Sequence, residues 1–490
     1  MNHTHLPSLV RATIVALTLS ATTVHAAEDR HDIVVYGGTS GGVVAAVQAA
    51  RSGHSVVLIS PTQKLGGLTA SGLGQTDTAG YRQIIGGLAR EYYQRILKQY
   101  SDQRNWRWGD RDAYMKKVAA GAVKDGMMLH FEPHVAEKVF EEWAAESKIT
   151  IVRGERLDLR NGVLKEGPRI TALRMESGRT FPGKIFIDAS YEGDLLPGAA
   201  IAHTFGREGK ETYQERFAGV QPRAGVEHQF RHPVDPYIKP GDASSDLLPE
   251  IHATTPADMG SEGSADKLIQ AYNFRLCLTD VPENRIPIQR PDGYDSARYE
   301  LLGRYFKAGF DHPFGLHDAM PNRKTDLNNF GPFSVDYLRG NDGYVEGDYA
   351  TRDRIIAEHI RYQKGLVYFF LTDERVPAQI REQLAQWGYA KDEFADTGHW
   401  PWQIYIREAR RMISDYVMTE HNILGAQIAP DSVGLGCYPL DSHNVQRFVS
   451  AEGYALVEGG IFASMHSPYP ISYRSIVPRR AECESIRRDE

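Results

Sequence analysis

The chain has 490 residues, 41% of them hydrophobic and 24% charged, with a formal net charge of −7. That composition belongs to a globular protein and excludes a chain disordered throughout. It has no long basic run, which argues against a nucleic-acid partner, because phosphate binding needs clustered Lys and Arg.

In chain order, the first 26 residues carry an export pattern rather than fold. His3, His5 and Arg11 make a weakly basic start, and residues 12–21 (ATIVALTLSA) are apolar. That run of about ten residues is too short to span a bilayer. Val24-His25-Ala26 then supplies the small residues a signal peptidase reads. No later window holds about 18 consecutive apolar residues. The expectation is a periplasmic or secreted protein with no integral membrane segment once the signal is removed. The cysteines Cys277, Cys437 and Cys483 are far apart and lack Cys-x-x-Cys spacing, which argues against an iron–sulfur cluster or structural zinc. One disulfide with one thiol left over stays open.

Residues 32–36 (DIVVY) predict a short buried strand. A turn follows, Gly37-Gly38-Thr39-Ser40-Gly41-Gly42, then a helix of small apolar residues ended by Gly53, then a second strand over 55–59 (SVVLI). Strand, glycine turn, helix and strand within about thirty residues is the context that makes a dinucleotide fingerprint specific. Gly37 permits the sharp turn, and Gly42 lets the helix pack closely on the sheet. The free N–H groups and positive dipole end of the helix hold a diphosphate.

Two positions depart from that fingerprint. Thr39 stands at the middle glycine, so its side chain must turn away from the diphosphate or donate its hydroxyl to it. Ser60 stands at the end of the second strand, where Asp or Glu usually holds the adenosine ribose, so a weaker, uncharged ribose contact is expected. Residues 63–74 (QKLGGLTASGLG) then form a second glycine-rich loop, which puts Lys64, Gly66, Gly67 and Ser71 beside the same nucleotide. A loop of this kind at this point favours FAD over NAD.

These stretches, with IGGLAREYY over 85–93, resemble the FAD-dependent oxidoreductases of the two-dinucleotide-binding-motif superfamily. The likeness is nearest to a bacterial, often exported branch whose fingerprint reads G-x-T-x-x-G; on that resemblance Thr39 is the ordinary residue. Residues 131–146 (FEPHVAEKVFEEWAAE) resemble the helix before the third strand, and KITIVRG resembles that strand. Its end, around Arg156, is then placed at the adenine edge. Residues 170–190 (ITALRMESGRTFPGKIFIDAS) read as strands about a Ser177-Gly178 turn, running into Asp188-Ala189-Ser190. This resembles the superfamily's second signature, which brings Ala189 and Ser190 close to FAD. Similar stretches recur over 271–280, 400–421, 437–448 and 471–483.

The resemblance implies an α/β fold: a Rossmann-like FAD-binding domain in three β-β-α layers, with an inserted α+β substrate domain. The division expected is 27–195, 196–400 and a return over 401–490. The implied activity is hydride exchange between FAD and a small organic substrate; the electron acceptor is not indicated. The resemblance also implies a closing strand and a glycine-led helix aimed at the flavin after Cys483. The sequence there ends ESIRRDE, so a truncated return and loosely held FAD are expected. The rivals to this reading are an exported binding protein without catalysis and an NAD-dependent dehydrogenase.

Flavin chemistry on a small molecule needs a proton acceptor and a cation to orient the substrate. Asp441-Ser442-His443 is the nearest acid–imidazole pair, since a carboxylate can hold one tautomer of His; alternatively Asp441 caps the following segment. Arg474 is the candidate cation. Arg407, Arg410 and Arg411 lie in a stretch whose pattern predicts a helix with ordinary ion pairs. Interleaved Tyr, Trp and Arg in the middle of the chain suit an oxygen-rich or sugar-like ligand. No His or carboxylate spacing makes a metal site.

Overall fold

The computed structural model describes Met1, residues 30–118, 124–222, 228–312, 315–479 and Glu482. The expected export signal and Cys483 lie outside the described residues.

The first unit begins as its sequence pattern requires. Strand β1 (His31–Tyr36) feeds helix α1 (Ser40–Arg51), and β2 (Val56–Ser60) follows. Both strands are apolar runs, as a parallel sheet covered on two faces demands. Helix α2 (Gly87–Ser101) and helix α3 (Pro133–Glu146) lead to β3 (Thr150–Arg153). In α3, Pro133 sits in the first turn, where a missing N–H costs nothing. Val135, Ala136, Val139, Phe140 and Trp143 repeat at three- and four-residue spacing and are all buried. Strands β4 (Val163–Glu166), β5 (Arg169–Arg174) and β6 (Thr180–Asp188) complete one sheet in the order β3-β2-β1-β6-β5-β4.

β1 pairs in parallel with β2 and β6, and β2 with β3, while β5 runs antiparallel to both β4 and β6. Alternate residues of β1 serve two cores. Ile33 and Val35 face α1, α2 and α3. Val34 and Tyr36 pack with Ile170, Leu173, Met175 and Phe181, so the antiparallel extension covers the second face. This is the expected β-β-α layering. Among the described residues, no segment after Asp188 joins this sheet.

The second unit is an antiparallel five-stranded sheet. It is built from β7 (Leu276–Thr279), β8 (Arg285–Ile286), β9 (Gly315–Met320), β10 (Lys324–Asn328) and β11 (Gly388–Ala390), in the order β9-β10-β7-β11-β8. The 24-residue helix α4 (Tyr349–Thr372) packs its Tyr362, Leu366 and Phe369 into the largest core of the molecule. Residues 432–472 form one long interrupted antiparallel hairpin. Its arms are β12 (Ser432–Gly436), β13 (Leu440–Ser442) and β14 (Gln446–Val449) against β15 (Ala455–Glu458), β16 (Ile461–Ala463) and β17 (Tyr469–Ser472). Val449, Ala455 and Val457 near its tip join the core of the second unit.

Buried charge fastens the two units. Asp194, just after the second signature, is gripped by Arg352 of α4 at 2.6 and 2.8 Å and by Arg410 at 2.7 Å. Among the described residues, no helix is long and apolar enough to cross a membrane.

Candidate functional site

The turn from β1 into α1 is locked by close backbone approach. Gly37 has φ +115°, and a Cβ there would lie 2.5 Å from the Ala189 carbonyl. A Cβ on Gly42 would lie 1.9 Å from the Gly37 oxygen. Neither position accepts a side chain without moving backbone. Gly38 is buried, whereas Thr39 and Ser40 are half-buried and Gly41 is exposed. The corner therefore opens outward at the first turn of α1.

Thr39 resolves its departure from the fingerprint by turning away from the opening. Its hydroxyl donates to the Ala189 carbonyl at 2.7 Å and accepts from the Gly42 N–H at 3.2 Å. It is thus the N-cap of α1 and the stitch between the two signature segments, 150 residues apart. Ser40 and Gly41 occupy the first helical positions, whose N–H groups have no intrahelical partner. Free donors, a positive helix end and the absence of side-chain bulk make an anion cradle. These residues fit a diphosphate group.

The neighbouring segments close around this corner. At the end of β6, Asp188 accepts from Ser190 Oγ at 2.7 Å, from Ser190 N at 2.9 Å and from Leu195 N at 3.0 Å, while burial pushes its carboxyl up. Ala189 and Ser190 therefore sit on a fixed turn. Gly66 and Gly67 lie on the second glycine loop, and the Leu68 N–H donates to Tyr191 Oη at 2.8 Å. Ser71 Oγ accepts from the Gln403 N–H at 2.9 Å, which brings residues 403–411 alongside.

Three residues expected at the nucleotide are engaged elsewhere. Ser60 is fully buried under Gly38, and its hydroxyl bonds Thr62 and the Lys64 carbonyl, so it holds the turn and presents nothing to a ribose. Lys64 pairs with Glu137 and Asp396, both at 2.9 Å. Arg156 makes two 2.9 Å bonds to Asp353 and stacks over Tyr349, tying the end of β3 to α4.

The catalytic pair read from the sequence is also rearranged. His443 Nδ1 lies 2.7 Å from Asp336, not from Asp441, which accepts from Tyr438 Oη at 3.1 Å. Asp336 is buried and also accepts from Asn273 at 2.6 Å and Arg407 at 3.0 Å. Burial opposes its ionisation, but the Arg407 charge and the hydrogen bonds from His443 and Arg407 prevail and hold its carboxyl well below the usual range.

Arg407 belongs to no helix. Residues 404–410 form neither helix nor strand beyond an isolated bridge at Tyr405; Ile404, Ile406 and Ala409 are buried, Tyr405 is half-buried, and the Arg407 side chain is only 7% exposed. The I-Y-I-R alternation is a strand pattern, overridden in the sequence reading by the helix-forming Glu-Ala-Arg-Arg that follows. Arg411 pairs with Glu208 and Glu408. Arg474 bonds Asp431 at 3.0 Å and stacks on Tyr416; none of these contacts reaches the glycine corner or Asp336. Cys277 and Cys437 are both free thiols.

One cluster had no signal in the sequence. Lys324 is fully buried between Glu132 at 2.7 Å and Glu393 at 2.6 Å, with Asp392 at 2.8 Å. Ligand atoms of Glu132, His134 and Glu393 lie within 4.8 Å of one another, and the Lys324 ammonium bonds both of those carboxylates. The cluster joins the start of α3 to β10. A cavity of about 610 Å³ lined by Arg107, Trp108, Asp110, Glu283 and Arg323 shares no residue with the corner, so volume alone does not mark the site.

A family model described as FAD dependent oxidoreductase matches residues 32–485. The comparison with curated proteins gives no match. Among solved structures, the likeness to L-proline dehydrogenase from P. horikoshii, at 17% identity and TM-score 0.25, covers 37% of this chain and 59% of that one. The likeness to L-amino acid deaminase from Proteus vulgaris, at 16% identity and TM-score 0.26, covers 41% and 54%. The chain thus spans less than two thirds of either protein, and likenesses at such scores carry no argument.

Proposed function

The chain belongs to the FAD dependent oxidoreductase family, and from that premise we propose that it exchanges hydride between FAD, held at the glycine corner, and a small organic substrate. The observation that carries this reading is the Thr39 hydroxyl on the Ala189 carbonyl, because it holds both signature segments around one open helix end. The N–H groups of Ser40 and Gly41 bind the diphosphate, and the dipole of α1 favours its charge. Gly37 and Gly42 keep the corner free of side chains. Bound flavin supplies a two-electron acceptor and donor. The export pattern of residues 1–26 supports a mature protein outside the cytoplasm, and N-terminal sequencing of the secreted form, expected to start near Ala27, tests it.

Gly41→Asp separates cofactor binding from folding. A Cβ at Gly41 meets nothing nearer than Thr39 Oγ1 at 3.8 Å, so the fold accepts the substitution while a carboxylate enters the anion cradle. FAD retention should fall at least tenfold, ~1.4 kcal/mol, within the range of helix-end charge effects. Gly42→Asp, which collides with backbone, should abolish retention. A yellow Gly41→Asp protein with unchanged FAD affinity would remove the diphosphate from this corner.

A further inference from the structure

We propose that His443, oriented by Asp336, accepts the proton of a substrate hydroxyl, and that the substrate class is a hydroxyl-bearing ring compound oxidised from carbinol to carbonyl. The inference rests on the FAD reading above and goes further by naming the base and the substrate chemistry.

The tautomer follows from the partner. An ionised carboxylate only accepts hydrogen bonds, so the 2.7 Å contact with Asp336 puts the hydrogen on Nδ1 of His443. Nε2 is left as an acceptor, and it bonds no described residue and is not sealed from solvent. Asp336 is the positioning residue. Asn273 and Arg407 hold its other oxygen, and the His443 backbone N–H donates to Gln270 at 2.9 Å. A ring held at Nδ1 on an anchored backbone keeps Nε2 aimed without further ordering on substrate arrival.

The place is adjacent to the cofactor corner by chain continuity. Gln403 is bonded to Ser71 and Arg407 to Asp336. Even fully extended, four residues separate these anchors by at most about 14 Å. Tyr405 lies between them, with the Arg407 guanidinium stacked 4.3 Å from its ring centre. Tyr191 holds the second glycine loop at Leu68, three residues before Ser71.

The substrate class follows from charge and surface. The Arg407 and Asp336 charges cancel, and Arg407 also bonds the Ala271 carbonyl. His228 stacks beside His443 with ring centres 6.4 Å apart, and its Nδ1 accepts from Gly331. Asp441 takes the Tyr438 hydroxyl. Nε2 asks for an O–H donor, and the exposed Tyr438 ring offers an apolar face with a polar rim, which suits a ring bearing hydroxyls. In the step, the O–H bond breaks and its proton goes to Nε2. The carbonyl forms as the carbinol hydrogen leaves with its electron pair for oxidised flavin, and Nε2 later returns its proton to water.

The test uses the FAD-loaded full chain under anaerobic conditions, with D-glucose and myo-inositol as hydroxyl probes and L-proline as the amine control. A hydroxyl probe should bleach the flavin. His443→Asn should slow bleaching by about 10²- to 10⁴-fold, the usual worth of a positioned base, with flavin content and probe affinity within about twofold of wild type. Imidazole ¹⁵N spectra of the cofactor-free protein should show the Nδ1-protonated tautomer, lost in Asp336→Asn. Bleaching by His443→Asn at the wild-type rate, reduction by L-proline alone, no reduction by either hydroxyl probe, or an Nε2-protonated tautomer each overturns the inference while a yellow protein leaves the FAD reading intact. A chain that never takes up FAD overturns both.

Discussion

The glycine corner and the Asp336 cluster are built from different material. The corner is backbone: carbonyls of residues 37 and 189 pressed against positions that have no Cβ, with N–H groups as its chemistry. The Asp336 cluster is side chain: Asn273, Asp336, Arg407 and His443 arrive from four segments and meet at 2.6 to 3.0 Å. The Lys324 cluster is of the second kind, with Glu132, Asp392 and Glu393 around one ammonium. A backbone site resists by exclusion, since any added atom collides. A side-chain site resists by neutralisation, since any removed atom leaves a buried charge alone. The two should therefore fail differently.

The sharpest break of that contrast is Lys324→Met. It leaves Glu132 buried without a cation and Glu393 with His134 alone, and removing one partner of a buried ionic cluster costs about 3–5 kcal/mol. Urea unfolding should show that loss as a lower midpoint at unchanged slope. A loss under about 1 kcal/mol would mean that the ammonium is not what holds the start of α3 to β10.

A smaller effect should come from His134, which shares Glu393 at 2.6 Å. Burial alone would lower its pKa, but the charge and hydrogen bond of Glu393 raise it from 6.5 to about 9. A raised folded-state pKa gives stability that is complete below about pH 6.5 and lost as pH climbs through about 9. With the His134 side chain nearly half exposed, solvent screens the pair and keeps its contribution below that of Lys324. The stability gap between wild type and His134→Gln should close between pH 6 and pH 10. A gap that widens with pH would reverse the assignment.

The same division explains what could be read in advance. β1, the corner, α1 and β2 are one contiguous stretch, and every requirement (small residues at 37 and 42, a capping hydroxyl at 39, Gly53 after the helix) is local. The hairpin of β5 and β6 is likewise carried by Ser177-Gly178 between apolar runs. The carboxylate partner of His443 is not local. It lies 107 residues away, and the nearer Asp441 was the only candidate that sequence distance could offer. Ser60 misled for a related reason: its position in the strand was right, but its hydroxyl is short enough to be satisfied beneath the corner. Residues 404–410 misled because four helix-forming residues outweighed a short alternation whose partner, the backbone of Asn273, is supplied by tertiary structure.

Thr39 is where the two kinds of construction meet, because there a side chain serves a backbone site. Thr39→Ser keeps both hydroxyl bonds and should match wild type in stability and FAD affinity. Thr39→Val loses the cap on Gly42 and the bond to the Ala189 carbonyl, which should cost about 1 kcal/mol, the usual worth of an N-cap. Thr39→Gly is the informative substitution. It restores the usual middle glycine of the fingerprint and costs only a few tenths of a kcal/mol as a cap, yet it still removes the link to Ala189. If Thr39 were merely a bulky stand-in for glycine, Thr39→Gly should tighten FAD binding, measured by fluorescence titration of the cofactor-free protein. Because the Thr39 hydroxyl points at Ala189 and not at the opening, the expected result is equal or weaker binding, with Thr39→Gly losing more affinity than its small loss of stability explains.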